Sequence, residues 1–150
     1  MFVLDTNTVI YFFKGEGDVA KRLLATPPSQ IAIPTLVVFE LETGISKATN
    51  RSKRRSQLDA LLDAVQVLPF GMSEARAAAG VRARLETAGT PIGPLDTLIA
   101  GSALAHNGVL VTRNIREFGR VEGLVVENWF DGAQPSALPP LNRPIPAKPC

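Results

Sequence analysis

Apolar runs too short to be helices recur along this chain, each followed by a segment with helical patterning. That alternation narrows the folds open to it more than any other feature. "FVL" (Phe2–Leu4), "QIAI", "QVLPF", "VLVT" and "LVVEN" read as buried strands. The segments between them read as helices. Asn7 caps "TVIYFFK", which stops at "GEG", and "DVAKRLLAT" is closed by Pro27-Pro28. Pro34 opens the first turn of "TLVVFELETGISKA". "SKRRSQLDALLDAV" keeps Leu58, Leu61, Leu62 and Val65 on one face. "SEARAAAGVRARLETAG", capped by Ser73, ends at Gly89, and "DTLIAGSALAHNG" ends at Asn107-Gly108. Strands buried on both faces and joined by helices form a mostly parallel sheet. The predicted class is therefore α/β, a three-layer α/β/α sandwich around a central, mostly parallel sheet.

The alternation stops after Trp129. Residues 131–150 read "DGAQPSALPPLNRPIPAKPC", with six prolines and little that can pack. This tail is expected to be extended or disordered, leaving a domain over 1–130. Such a domain is large enough to hold its own core without a disulfide or structural metal. The only cysteine is Cys150, so an internal disulfide is excluded. No apolar run approaches the ~20 residues that span a bilayer, and the start lacks the basic and apolar regions of a signal peptide. A cytoplasmic location and no membrane partner are the expectation.

Histidine is the first filter on chemistry. His106 is the only one, which excludes mechanisms needing two imidazoles and His-rich zinc sites. Ser102 and His106 share a helix face and suggest a nucleophile–base pair, but His106 lies in the last turn before Asn107-Gly108, where a His commonly just complements the helix dipole. What remains is carboxylates in uncharacteristic places. Asp5 ends the first strand, where a turn would use it and where parallel sheets bind ligands. Glu40 sits inside an apolar helix, on one stripe with Leu36 and Gly44, and Gly44 leaves room beside that stripe. It either rims the core or faces a site. Asp96 opens a nearly uncharged helix behind a rigid "PIGPL" approach, as a cap or as a buried acid turned to the sheet edge. Asn114, just past a strand end in "LVTRNIREF", offers an uncharged oxygen ligand or a turn cap.

Three acids sharing one crevice repel each other by roughly 4 kcal/mol per pair at ~4 Å and an effective dielectric near 20. Either some take up protons or a hard cation lies between them. An all-oxygen donor set suits Mg²⁺, with Mn²⁺ as a substitute, rather than zinc. The positive charge is uneven although the net charge is only +2. Lys47, Arg51, Lys53, Arg54 and Arg55 follow one another without an acid, as a solvated helix start or as a phosphate-facing patch.

"VLDTN", "FELETG" and "GTPIGPLDTLIAGSALAHNGVLVTRNIREFGRVEGLVVENW", in this order over residues 1–129, resemble the PIN-domain ribonucleases, specifically the VapC-type toxins of toxin–antitoxin pairs. The resemblance implies a PIN-like fold and an acidic metal cluster. Asp5 and Asp96 would be primary ligands, and Glu40 a further ligand or an orienter of metal-bound water. Asn114 stands where many relatives carry a fourth acid, which lowers the charge of the site and leaves one or two metals open. Thr6 and Thr112 would steady the cluster with their hydroxyls. The implied activity is Mg²⁺-dependent hydrolysis of RNA by a metal-activated water, leaving a 5′-phosphate and a 3′-hydroxyl. The segment from Gly89 to Trp129 resembles a subgroup cleaving initiator tRNA. Lys47 to Arg55 and Arg113 would hold the RNA backbone, with single-stranded loops as the target. A homodimer and a cognate VapB-type antitoxin covering the site are also implied.

Two other readings compete. An aspartyl-nucleophile phosphatase would also place an acid at the end of its first strand, but it usually carries a second Asp where this chain has Asn7. A PIN-like module that binds nucleic acid or a partner without cleavage is kept open by Asn114.

Overall fold

A computed structural model describes residues 1–132 of the chain. Apart from Asp131 and Gly132, the Pro-rich tail expected over 131–150 lies outside the described residues. In chain order the elements are β1 (Phe2–Leu4), α1 (Thr6–Lys14), α2 (Val19–Leu24), β2 (Ile31–Pro34), α3 (Thr35–Lys47) and α4 (Arg51–Ala64). They continue with β3 (Gln66–Leu68), α5 (Met72–Thr87), α6 (Pro94–Ala105), β4 (Val109–Val111), α7 (Ile115–Phe118) and β5 (Val125–Glu127). The five strands form one sheet in the order β3-β2-β1-β4-β5. Every pairing is parallel, so the mostly parallel expectation resolves to an all-parallel sheet. The apolar runs supply the reason. Val3, Leu4, Ala32, Ile33, Leu110 and Val111 are wholly buried, as strands covered by helices must be.

The strand order carries a functional consequence. From β1 the chain moves to β2 and β3 on one side, then returns to place β4 and β5 on the other. The reversal falls between β1 and β4, and in open α/β sheets ligands bind outside the carboxyl ends of the strands at such a switch point. In register, Leu4 faces Val111, so Asp5 and Thr112 are the first residues beyond the two central strands.

Helix starts differ from the sequence expectation in several places, among them α6, which begins at Pro94 rather than Asp96. Asp5 rather than Asn7 caps α1, its Oδ1 accepting from the Thr8 backbone N–H at 2.9 Å. Gly71 rather than Ser73 precedes α5, where the N3 residue Glu74 reaches back to accept from the Gly71 N–H at 3.0 Å. Pro34 closes β2 and lies just before α3 rather than inside its first turn. The helices pack α1 on α2 and α3, α3 on α4 and α6, and α5 on α6. Among the described residues no helix is long and apolar enough to cross a membrane.

The Ser102–His106 pair does not form. Ser102 donates to the Leu98 carbonyl at 3.1 Å, while His106 Nε2 lies 2.9 Å from Glu74 Oε1. Glu74 therefore joins the end of α6 to the start of α5. Hydrogen bonds from its own backbone N–H, the Ser73 hydroxyl and the Gly71 N–H hold its carboxyl down at about 2. A carboxyl depressed in the folded state stabilises above its unfolded value of 4.5 and loses that contribution as pH falls toward about 2. Glu74→Gln is expected to melt below the parent at pH 6. The gap should close as the melts are repeated at successively lower pH.

Candidate active site

The crevice above the β1–β4 junction gathers its side chains from four elements. Asp5 comes from the end of β1, and although charged at neutral pH in water it is only 6 % exposed here. Burial pushes its carboxyl up, while hydrogen bonding with Thr112 and Thr8 pulls it part of the way back. Its backbone N–H donates to Val111 at 3.2 Å, which fixes it against β4. Glu40 reaches the same crevice from the middle of α3 and accepts a short hydrogen bond from the Thr6 hydroxyl. Asp96 stands at the third position of α6, behind Gly93 at the cap and Pro94 at the first position. It is not the cap residue, so its carboxyl is free for other work. Burial raises its pKa most, and the charges of Glu117, Glu40 and Asp5 raise it further.

Those like-charge effects define the site: Asp5, Glu40, Asp96 and Glu117 share one electrostatic neighbourhood. Glu117 is the member the sequence reading passed over. Asn114 donates from Nδ2 to Glu117 Oε2 at 2.9 Å, and its own backbone N–H donates to the Thr112 hydroxyl at 3.0 Å. A chain of contacts thus runs from Asp5 through Thr112 and Asn114 to Glu117. Asn114 thus holds a carboxylate three residues further on. The sequence signal was the spacing itself, since a residue three positions beyond a helix cap turns back toward it.

No Lys, Arg or His forms an ion pair with any of these four acids among the described residues. Nor, among the described residues, is any group of three or more His, Cys, Asp or Glu arranged so as to hold a metal ion. The donor set is nonetheless all oxygen and like-charged, with Asp5 buried and Glu40, Asp96 and Glu117 partly so. Mg²⁺ takes one or two carboxylates and completes its shell with waters and substrate phosphates, so it does not need an all-protein cage. Asp5 at the end of β1 and Asp96 in the first turn of α6 fit that ion; they do not fit zinc.

The basic residues separate into different environments. Arg55 is committed to Glu42, with both guanidinium nitrogens 2.6 Å from its carboxylate oxygens. Arg51, on the first turn of α4, donates to the Ala48 carbonyl, and Lys53 is exposed. Arg54 donates to Gln57. Lys47 ends α3. Arg113, beside Thr112, lies 3.7 Å above the Phe130 ring and 5.8 Å from the centre of Tyr11. A cleft of about 480 Å³ between α5 and α6 contains none of the candidate acids.

Comparison with known proteins gives a consistent picture. The family described as PIN domain matches residues 2–124. The chain is 35% identical to Ribonuclease VapC2 of Rickettsia felis over 131 residues, covering 86% of this chain and 98% of that protein. It is 32% identical to the tRNA(fMet)-specific endonuclease VapC of Salmonella typhimurium, over 85% of this chain and 97% of the relative. Among solved structures, it matches a chain of VapBC2 from Rickettsia felis bound to a promoter DNA fragment. There the TM-score is 0.79 at 35% identity, over 85% of this chain and 98% of the other.

Proposed function

The chain belongs to the PIN-domain family, among the VapC ribonucleases, and from that premise we propose that it is a toxin that cuts RNA internally and is restrained by a cognate VapB-type antitoxin. The observation that carries this reading is Asp5, a buried carboxylate at the switch point of the sheet, with three more acids nearby and, among the described residues, no cation paired with any of them. Asp5 and Asp96 would hold Mg²⁺, and Glu40 and Glu117 would serve its outer shell. The ion, when bound, offsets the charge of the scissile phosphate and makes water a stronger acid. The protein's own contribution is placement. Thr112 and Thr8 keep Asp5 hydrogen-bonded, Thr6 fixes Glu40, and Asn114 fixes Glu117.

The substrate in this reading is a phosphodiester in a single-stranded RNA loop, cut to leave a 5′-phosphate and a 3′-hydroxyl. Initiator tRNA is supported by the name of the Salmonella typhimurium relative. A cytoplasmic homodimer completes the proposal, with Lys47, Arg51, Lys53, Arg54 and Arg113 as the cations available to RNA. Arg55 contributes less, because Glu42 already neutralises it. The experiment is incubation with total tRNA and Mg²⁺, followed by sequencing of the RNA ends. Cuts clustered in one loop of one tRNA support the proposal. RNA that is bound but never cut would identify a binding module instead.

The raised carboxyls also predict a link between the ion and stability. An acid whose folded pKa lies above its unfolded value of 3.8 costs the fold nothing below that value and an increasing penalty as the pH rises above it toward the folded pKa. Asp5→Asn removes that charge and keeps a cap acceptor. Without divalent cations it should therefore melt above the parent at pH 7. Mg²⁺ at ten times its dissociation constant should stabilise the parent by about 1.4 kcal/mol. That is about 4 °C in a chain of this size. Differential scanning calorimetry reads both effects, and an equal Mg²⁺ shift in the Asn variant would place the ion elsewhere.

A further inference from the structure

A groove of about 480 Å³ opens between α1 and α3 with Glu40 in its wall, so it adjoins the acids through that residue. We infer that this groove seats one unpaired nucleotide of the RNA beside the scissile bond, its base on the apolar floor and its phosphate at a cationic rim. The inference deepens the ribonuclease reading and rests on it. Phe13 and Ile10 of α1 face Leu41 and Ile45 of α3 across the floor. An aromatic ring of that kind stacks any base, whatever its sequence. Gly44 lies on the α3 side, one turn beyond Glu40, and a Cβ built there meets nothing within 4 Å. That missing side chain is what keeps the groove open.

The rim supplies the charge. Lys14, Lys47 and Arg54 border the groove, and none of them forms an ion pair among the described residues. Arg54 is also held in place: Gln57 donates to the Phe13 carbonyl at 3.2 Å and accepts from Arg54 at 2.8 Å. The guanidinium is thereby tied to the groove floor instead of spreading into solvent. Three cations in the lining, and a wall that meets the acids only at Glu40, match a nucleotide whose phosphate is bound away from the metal site. The volume lies within the range of sites that enclose a small ligand.

Gly44→Leu places a side chain in the groove and tests the proposal with the fold kept, because a Cβ at this position meets nothing within 4 Å and Leu is the better helix former. With a short labelled tRNA loop as substrate, it should raise KM about tenfold, the value of one lost stacking contact, while kcat stays within about threefold. Independently, Lys14→Ala with Lys47→Ala, made in the Asp5→Asn protein, should flatten the dependence of log binding constant on log salt by about 1.4. An unchanged KM and salt slope in a parent that cuts RNA would overturn the groove and leave the ribonuclease reading standing. A fall in kcat alone would also overturn it, by showing that Gly44 acts through Glu40. Unchanged RNA kinetics with weakened capture of the antitoxin would reassign the groove to a peptide. A parent that neither binds nor cuts RNA removes both readings together.

Discussion

Asp5→Asn and Asp96→Asn should each lower the single-turnover rate of RNA cleavage by about 10³-fold or more at saturating Mg²⁺, in proteins that fold as the parent does. A thousandfold corresponds to about 4 kcal/mol of transition-state stabilisation, which is what loss of a metal-holding carboxylate removes. Asn is the informative replacement. It keeps the volume of Asp and, at position 5, an oxygen able to accept from the Thr8 N–H, so the cap on α1 survives. Asp5→Ala would forfeit that cap as well, at ~1 kcal/mol, and confuse folding with chemistry. Glu40→Gln should cost less, because Gln retains an acceptor for the Thr6 hydroxyl. RNA binding should persist or tighten in both Asn variants, since each removes negative charge facing phosphate. Cleavage within tenfold of the parent in either one would move the chemistry away from this crevice.

The parts of this site that the sequence makes legible are local. Asp5 stands out because an ionised side chain ends an apolar strand, and Asp96 because rigid prolines lead into a helix with almost no other charge. The strand–helix alternation likewise follows from short-range patterning. What the sequence withholds depends on partners far apart in the chain. Arg55 looks like part of an unneutralised basic run until α3 and α4 pack together and Glu42 meets it from 13 residues away. His106 seems paired with Ser102 until Glu74, 32 residues distant, takes it. Asp5 and Asn7 have nearly equal capping preferences, so only the backbone decides between them. Glu117 is faint for another reason: its one-turn helix is too short to give a periodic signal, and only its spacing from Asn114 marks it.

The site also depends on how closely α5 and α6 approach, and Gly101 sets that distance. A Cβ at Gly101 would lie 2.5 Å from the Ala78 Cβ and 2.6 Å from its backbone nitrogen. Backbone cannot yield as a flexible side chain does, so a larger residue must push the helices apart. Gly101→Val is expected to lose about 3 kcal/mol, the upper range for overpacking a core. That lowers Tm by about 9 °C in a chain of this size. Asp96 lies on the same helix, so its carboxyl moves with α6, and cleavage should fall even at temperatures where the variant is fully folded. Gly80→Ala on α5 supplies the opposite sign. There the new Cβ meets only the end of Arg84 at 3.9 Å, and the gain in helix propensity should add up to ~1 kcal/mol with cleavage unchanged. Thermal melts and single-turnover rates on the two variants separate a general sensitivity of these helices from the specific contact at Gly101. If Gly101→Val melts with the parent, α6 has slack at that contact, and the position of Asp96 must be fixed by β4 and α3 instead.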